Sequence, residues 1–99
     1  MKRVTLDAYV IDVLMPDLVA HDRKPAAFLV YLYLAGQVAR NKRDTLSVSL
    51  QTIATKTGLS KSSVQSAVRH LRRRRLLDPD VVATAADPKR RVLHPLGKA

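Results

Sequence analysis

The sequence predicts one small, mainly α-helical domain closed by a short β-hairpin, with an extra helix in front. Three observations carry this. Apolar residues recur at helical spacing over 25–40 and again over 60–74. Residues that start and stop helices stand at the right places: Pro25, Gly58 and Ser60. Beyond Leu77 the pattern shortens to two runs around the turn-forming stretch Ala86-Asp87-Pro88-Lys89. The 99 residues suit a single domain. A chain of that size buries about 65% of its unfolded surface, enough for one modest core. The expected division is an extension over 1–24, the domain proper over 25–96, and a tail over 97–99.

Taken in order, Thr5 to Leu14 fits a short amphipathic helix through Leu6, Tyr9, Val10 and Val13. Its β-branched content also fits a strand, and the spacing favours the helix. Met15-Pro16 should end it, because the residue before a proline avoids the helical region. His21-Asp22-Arg23-Lys24 is a polar connector. Pro25 suits the first position of a helix, where its missing N–H costs nothing. That helix runs through Phe28, Leu29, Val30, Tyr31, Leu32, Leu34 and Val38 to about Arg40. It is apolar almost all round, so it is the expected core helix. Thr45 to Ser49 alternates and reads as a strand with Leu46 and Val48 on one face. A short helix over Leu50 to Thr57 follows. The next begins at Ser60, a favoured N-cap, and carries Val64, Ala67, Val68 and Leu71 on one stripe to about Arg74. Val81 to Thr84 and Arg91 to Leu93 then read as the two arms of the hairpin, spanning 81–94 in all. Pro79 and Pro95 belong at strand ends, since proline cannot donate to a ladder.

Composition removes several classes of function. Without cysteine there is no disulfide framework, thiol nucleophile or thiolate zinc site. Asp7, Asp12 and Asp17 interrupt any export signal that could follow Met1-Lys2-Arg3. The longest apolar run, Ala26 to Ala35, is half of the roughly 20 residues a membrane span needs. A cytoplasmic, nucleoid-associated chain is expected. The net charge is +10, from 18 basic and 8 acidic residues, which favours polyanionic partners. Its distribution is uneven. Asp7, Asp12, Asp17 and Asp22 lie in the first quarter, whereas no acid occurs between Thr45 and Leu77. That stretch holds Lys56, Lys61, Arg69 and the run Arg72 to Arg75.

Within it, Ala54, Gly58, Leu59, Val64, Ala67 and Val68 form a mechanical set. Ala54 is small where a second helix crosses. Gly58 can take the left-handed backbone of a sharp interhelical turn. Leu59 and Val64 fill the angle between the helices. This set resembles the bacterial helix-turn-helix. With a strand before it and a hairpin after, the stretch from Pro25 to Pro95 resembles the winged helix-turn-helix family of regulators and plasmid replication initiators. Thr57-Gly58-Leu59-Ser60-Lys61-Ser62-Ser63-Val64 and 68–77 are the most similar segments. Thr57 departs from the family's usual apolar residue, and Arg74-Arg75 stand where a glycine commonly ends the helix. The first 24 residues lie outside the resemblance.

The resemblance implies double-stranded DNA as partner, with the helix from Ser60 to Arg74 in the major groove and the hairpin as wing. If Val64, Val68 and Leu71 face inward, the opposite face presents Ser62, Ser66, Arg69 and Arg73, with Gln65 at its edge. Ser62, Gln65, Ser66 and Arg69 are the candidates for base edges. Lys56, Lys61, Ser63, Arg72 and Arg73, with Lys89, Arg90 and Arg91 from the hairpin, are the candidates for the DNA backbone. The arginine run also complements a helix dipole, so part of it is structural. Tyr31 and Tyr33 read as core and core-edge residues. His21, His70 and His94 lack metal-ligand spacing and read as surface or capping residues. No nucleophile–base pair, paired carboxylates or phosphate-cradling loop is visible, so neither enzymatic activity, cofactor, metal nor small-molecule ligand is expected. Transcription regulation is the leading expectation. Replication initiation or partitioning on a plasmid or phage is an alternative, and a protein-interaction winged helix is one of another class. Val4 to Leu18 is the candidate contact for a homodimer, or else packs on its own core.

Overall fold

The computed structural model describes residues 3–93. The expected positions of His94 and Pro95, and the tail 97–99, lie outside the described residues. The elements run in the order helical arm, α1 (Pro25–Asn41), β1 (Thr45–Ser47), α2 (Leu50–Thr57), α3 (Lys61–Arg73) and β2 (Lys89–Arg91). The arrangement is mainly helical with a small antiparallel sheet and an extra helix in front, a winged helix-turn-helix.

The arm differs from expectation. It does not end at Met15-Pro16 but stays helical over 8–21, with two π-helical segments, Val10–Leu14 and Asp17–His21. The Met15 N–H reaches the Val10 carbonyl, and the Asp22 N–H reaches that of Asp17. These wider turns on either side of Pro16 let the helix pass a residue that has no N–H and would crowd a regular α turn. They also move the buried stripe. Val10, Leu14 and Leu18 face inward, whereas Val13 is outside. The stripe packs on α1, so this part of the arm joins its own core.

Helix α1 starts at Pro25 and buries Ala27, Phe28, Val30, Tyr31, Leu34 and Ala35. It packs against the arm, α2 and α3, and is the centre of the domain. The Tyr31 hydroxyl donates to the Leu93 carbonyl at 3.1 Å. Burial, and secondarily the charge of Asp7, pushes that phenol up to about 12. Ser49 and Ser60 cap α2 and α3, their hydroxyls accepting from the N–H groups of Thr52 and Ser63 at 3.1 Å. Strand β1 stops at Ser47, two residues sooner than expected, because Ser49 is already the cap of α2.

The hairpin is present with a different first arm. Residues 81–84 form no strand. Instead Leu77 bridges Val92, and β2 pairs with β1 in the register Thr45↔Arg91, Leu46↔Arg90, Ser47↔Lys89. The incoming arm is therefore 76–78, where Leu76 and Leu77 are buried, and 79–88 form the wing loop. Val82 is 71% exposed and has no core to join. Burial of the two leucines outweighs the strand propensity of Val81-Val82. The loop is closed by reciprocal bonds between Thr84 and Asp87. The Val48 N–H holds it to β1 through the Pro88 carbonyl.

Candidate nucleic-acid interface

Two helices and one glycine build the site. Gly58 takes φ 80° at the end of α2, and its N–H bonds the Ala54 carbonyl at 2.9 Å. The chain thereby turns within three residues into the Ser60 cap. Ala54 on α2 and Ala67 on α3 are both buried. Thr57 is accommodated because its hydroxyl donates to the Ile53 carbonyl at 2.7 Å, which satisfies it inside α2. Val64, Ala67, Val68 and Leu71 hold α3 to the core.

The other side of α3 is open. Lys61, Ser62, Gln65, Ser66, Arg69 and Arg73 are exposed, and Ser63 is half-buried at the edge. Ser62 and Ser63 sit within hydrogen-bond reach of the Ser60 hydroxyl, which sets the first turn. Lys56 is exposed on the last turn of α2. All four candidates for base edges therefore share one accessible face with Lys61 and Arg73.

The arginine run divides by direction. The Arg72 guanidinium donates to the Pro79 carbonyl at 2.8 Å and ties α3 to the wing loop. It is half-buried and is not a free backbone contact as expected. Arg74 bonds Asp17 and Asp22 of the arm segment. Arg75 takes φ 55°, the left-handed position commonly filled by glycine. Its N–H bonds the Arg72 carbonyl and the Leu76 N–H bonds that of Leu71, which completes a Schellman ending without a glycine.

The wing is corrected in the same way. Arg90 is buried, its Nε donating to the Val48 carbonyl at 3.0 Å. Burial lowers its affinity for the proton, and Arg72 nearby adds to this. Side chains on a strand alternate, so Lys89, Arg90 and Arg91 cannot all face one ligand. Lys89 is exposed. Arg91 is exposed and lies 3.6 Å from both Asp44 and Asp78.

His70 is not a plain surface residue. Its Nε2 lies 2.7 Å from the Asp22 carboxylate, which also meets His21 Nδ1 at 2.9 Å and Arg74. The His21 hydrogen bond is the largest influence that holds the Asp22 carboxyl at about 2, with His70 and Arg74 adding to it against the opposing effect of burial. Asp17, His21 and Asp22 are close enough to share a cation, but Arg74 already provides the positive charge there. This cluster joins 48 residues of sequence separation and gave no periodic signal. A second feature without a motif is Arg23-Lys24, which faces Ser62, Ser63 and Ser66 across a cleft.

The pattern of the helix-turn-helix domain matches residues 24–77, more than half of the chain. The chain belongs to the helix-turn-helix domain family. The matched part of this helix-turn-helix protein runs from the residue before α1 to the sheet residue Leu77, and includes the whole open face of α3. No curated protein and no solved structure matches the chain. No helix among the described residues is long and apolar enough to cross a membrane.

Proposed function

We propose that the protein binds double-stranded DNA in a sequence-dependent way and acts as a transcription regulator, with α3 in the major groove and the wing over the neighbouring backbone. The observation that carries this reading is the accessible face of α3. Ser62, Gln65, Ser66 and Arg69 lie together there, flanked by Lys56, Lys61 and Arg73, in a stretch without a single acid. Gln and Arg in such positions discriminate base edges, and the lysines supply attraction to phosphate without sequence information. Lys89 and Arg91, on the same exposed side of β2, are the wing cations for the DNA backbone. The arm's outward side chains Ile11, Val13 and Val19 are the surface for a second copy on a two-fold site.

Selection from a random duplex pool, followed by salt titration of the selected site, tests the reading. A shared sequence should emerge. If about six phosphates are neutralised, affinity should fall roughly a thousandfold between about 50 and 200 mM salt. Failure to enrich any sequence, with affinity independent of salt, rejects it. Sedimentation of the full chain on its selected site checks the second copy, and a single bound chain at saturation removes it.

A further inference from the structure

We infer that the cleft between the residues preceding α1 and the near side of α3 seats the phosphodiester backbone of the bound duplex, with Arg23 and Lys24 as its cations and Ser63 and Ser66 as its hydroxyl donors. The inference rests on duplex binding as proposed above and adds a second line of phosphate binding, on the side of α3 away from the wing.

The placement follows from the helix. His70 and Arg72 are two residues apart on α3 and so point about 200° from each other. Arg72 reaches the wing at Pro79, and His70 reaches Asp22 beside the cleft. The wing and the 22–24 connector therefore flank α3 on different sides. Ser63, Ser66 and His70 follow one another at three- and four-residue spacing, which puts both serines on the connector side. The cleft itself has a volume of about 320 Å³ and is lined by Arg23, Lys24, Ser62, Ser63 and Ser66. It contains two cations and three hydroxyls, and no carboxylate lines it.

The cations are available. Among the described residues neither Arg23 nor Lys24 has an ion-pair partner. The nearest acid in sequence, Asp22, is held by His21, His70 and Arg74. That network engages the carboxylate next to Arg23 in the chain. Arg23 also takes φ 55°, a conformation disfavoured for a residue with a side chain. A glycine would take that backbone at no steric cost, so Arg23 can be removed without disturbing the turn. The first turn of α1 carries no acid that would repel an anion.

Phosphate binding contributes affinity and orientation, whereas base reading contributes sequence choice. With Ser63 and Ser66 drawn to the cleft, reading of bases falls chiefly to Gln65 and Arg69, and α3 is held by phosphates on both flanks.

The test compares the full chain with the variant Arg23→Gly/Lys24→Met on a selected duplex and on a random one. The variant should lose affinity for both by the same factor, and the slope of log affinity against log salt should become shallower by about 2, near 0.9 for each phosphate no longer neutralised. Ser66→Asp, at an exposed helix position, should weaken both duplexes by a similar common factor, and it serves as the second variant should the first fail to fold by thermal melting. Unchanged affinity and salt slope in a variant that folds, while the parent binds duplex, overturn the inference and leave the DNA-binding reading standing. Loss confined to the selected duplex overturns it too, since that marks base reading. Binding of inorganic phosphate by the parent and not by the variant, with duplex affinity equal in both, assigns the cleft to free phosphate and also overturns it. A parent that binds no duplex removes both readings together.

Discussion

The first two turns of α3 and its last turn are equally polar, yet they are used in opposite ways. At the start, Ser60, Ser62 and Ser63 bond among themselves, so the polar groups settle locally and the outward face stays open. At the end, His70, Arg72 and Arg74 bond residues 7 to 57 positions away. Short side chains can only satisfy their own turn, whereas histidine and arginine are long enough to reach the arm and the wing. Charge along a helix is therefore no guide to which part meets a ligand. In this protein the densest basic run is largely the fastening, and the thinner polar stretch ahead of it is the part that stays open.

Breaking the hold of α3 on the core should have the largest effect. Leu71 is fully buried on the inward face of the last turn. Leu71→Ala should destabilise by about 2–5 kcal/mol in urea unfolding. The next effect separates the ends by function. Arg69→Ala should lower affinity for the selected duplex by about ten- to a hundredfold and relax choice at one base position, with an unchanged unfolding midpoint. An equal loss on all sequences would move Arg69 from the reading surface to the groups that hold the DNA backbone.

The turn that opens α3 comes next. Gly58→Ala adds a Cβ that meets nothing within 4 Å, so the backbone alone sets its effect. About 1–2 kcal/mol should be lost. At the other end, Asp22→Asn should lower stability at neutral pH by on the order of 1 kcal/mol after solvent screening, because Arg74 is partly exposed. Its pH signature is sharper. The Asp22 carboxyl lies at about 2 against an ordinary 3.8. The stabilisation it provides is complete above the ordinary value and is lost as pH falls through about 2. Urea midpoints measured over that range should decline more steeply for the parent than for Asp22→Asn. Parallel curves would show that the fastening at this end is not electrostatic. The smallest effect is a gain. Arg75→Gly relieves a left-handed residue but frees the unfolded chain, leaving a net stabilisation of roughly 0.5 kcal/mol in the same assay.

The local signals were legible in the sequence because each depends on a residue and its near neighbours. Pro25 at a helix start, Gly58 with left-handed φ, Ser60 as a cap and the inward stripe of α3 all stand as the pattern predicts. The outward set Ser62, Gln65, Ser66 and Arg69 follows from that stripe by geometry alone. Three expectations failed where a distant contact outweighed a local preference. Pro16 did not end the arm, since wider turns carry the helix past it to bury Leu18. Val81 to Thr84 did not become the hairpin arm, since Leu76 and Leu77 had a core to enter. Arg90 turned inward because pairing with β1 set the alternation of β2.

The helix-turn-helix unit, its charge, and the face that α3 leaves open are all written in the chain itself. Periodicity and capping act within a few residues, so they can be read without knowing what surrounds them. Which arginines are free is a matter of the folded arrangement alone. A guanidinium's role depends on whether a carbonyl or carboxylate lies within its reach, and Pro79, Asp17 and Asp22 come within reach only when the arm and wing close on either side of α3. The same closure leaves Arg23 and Lys24, which have no ion-pair partner among the described residues, beside the serines, a juxtaposition across some forty residues that no spacing in the chain announces.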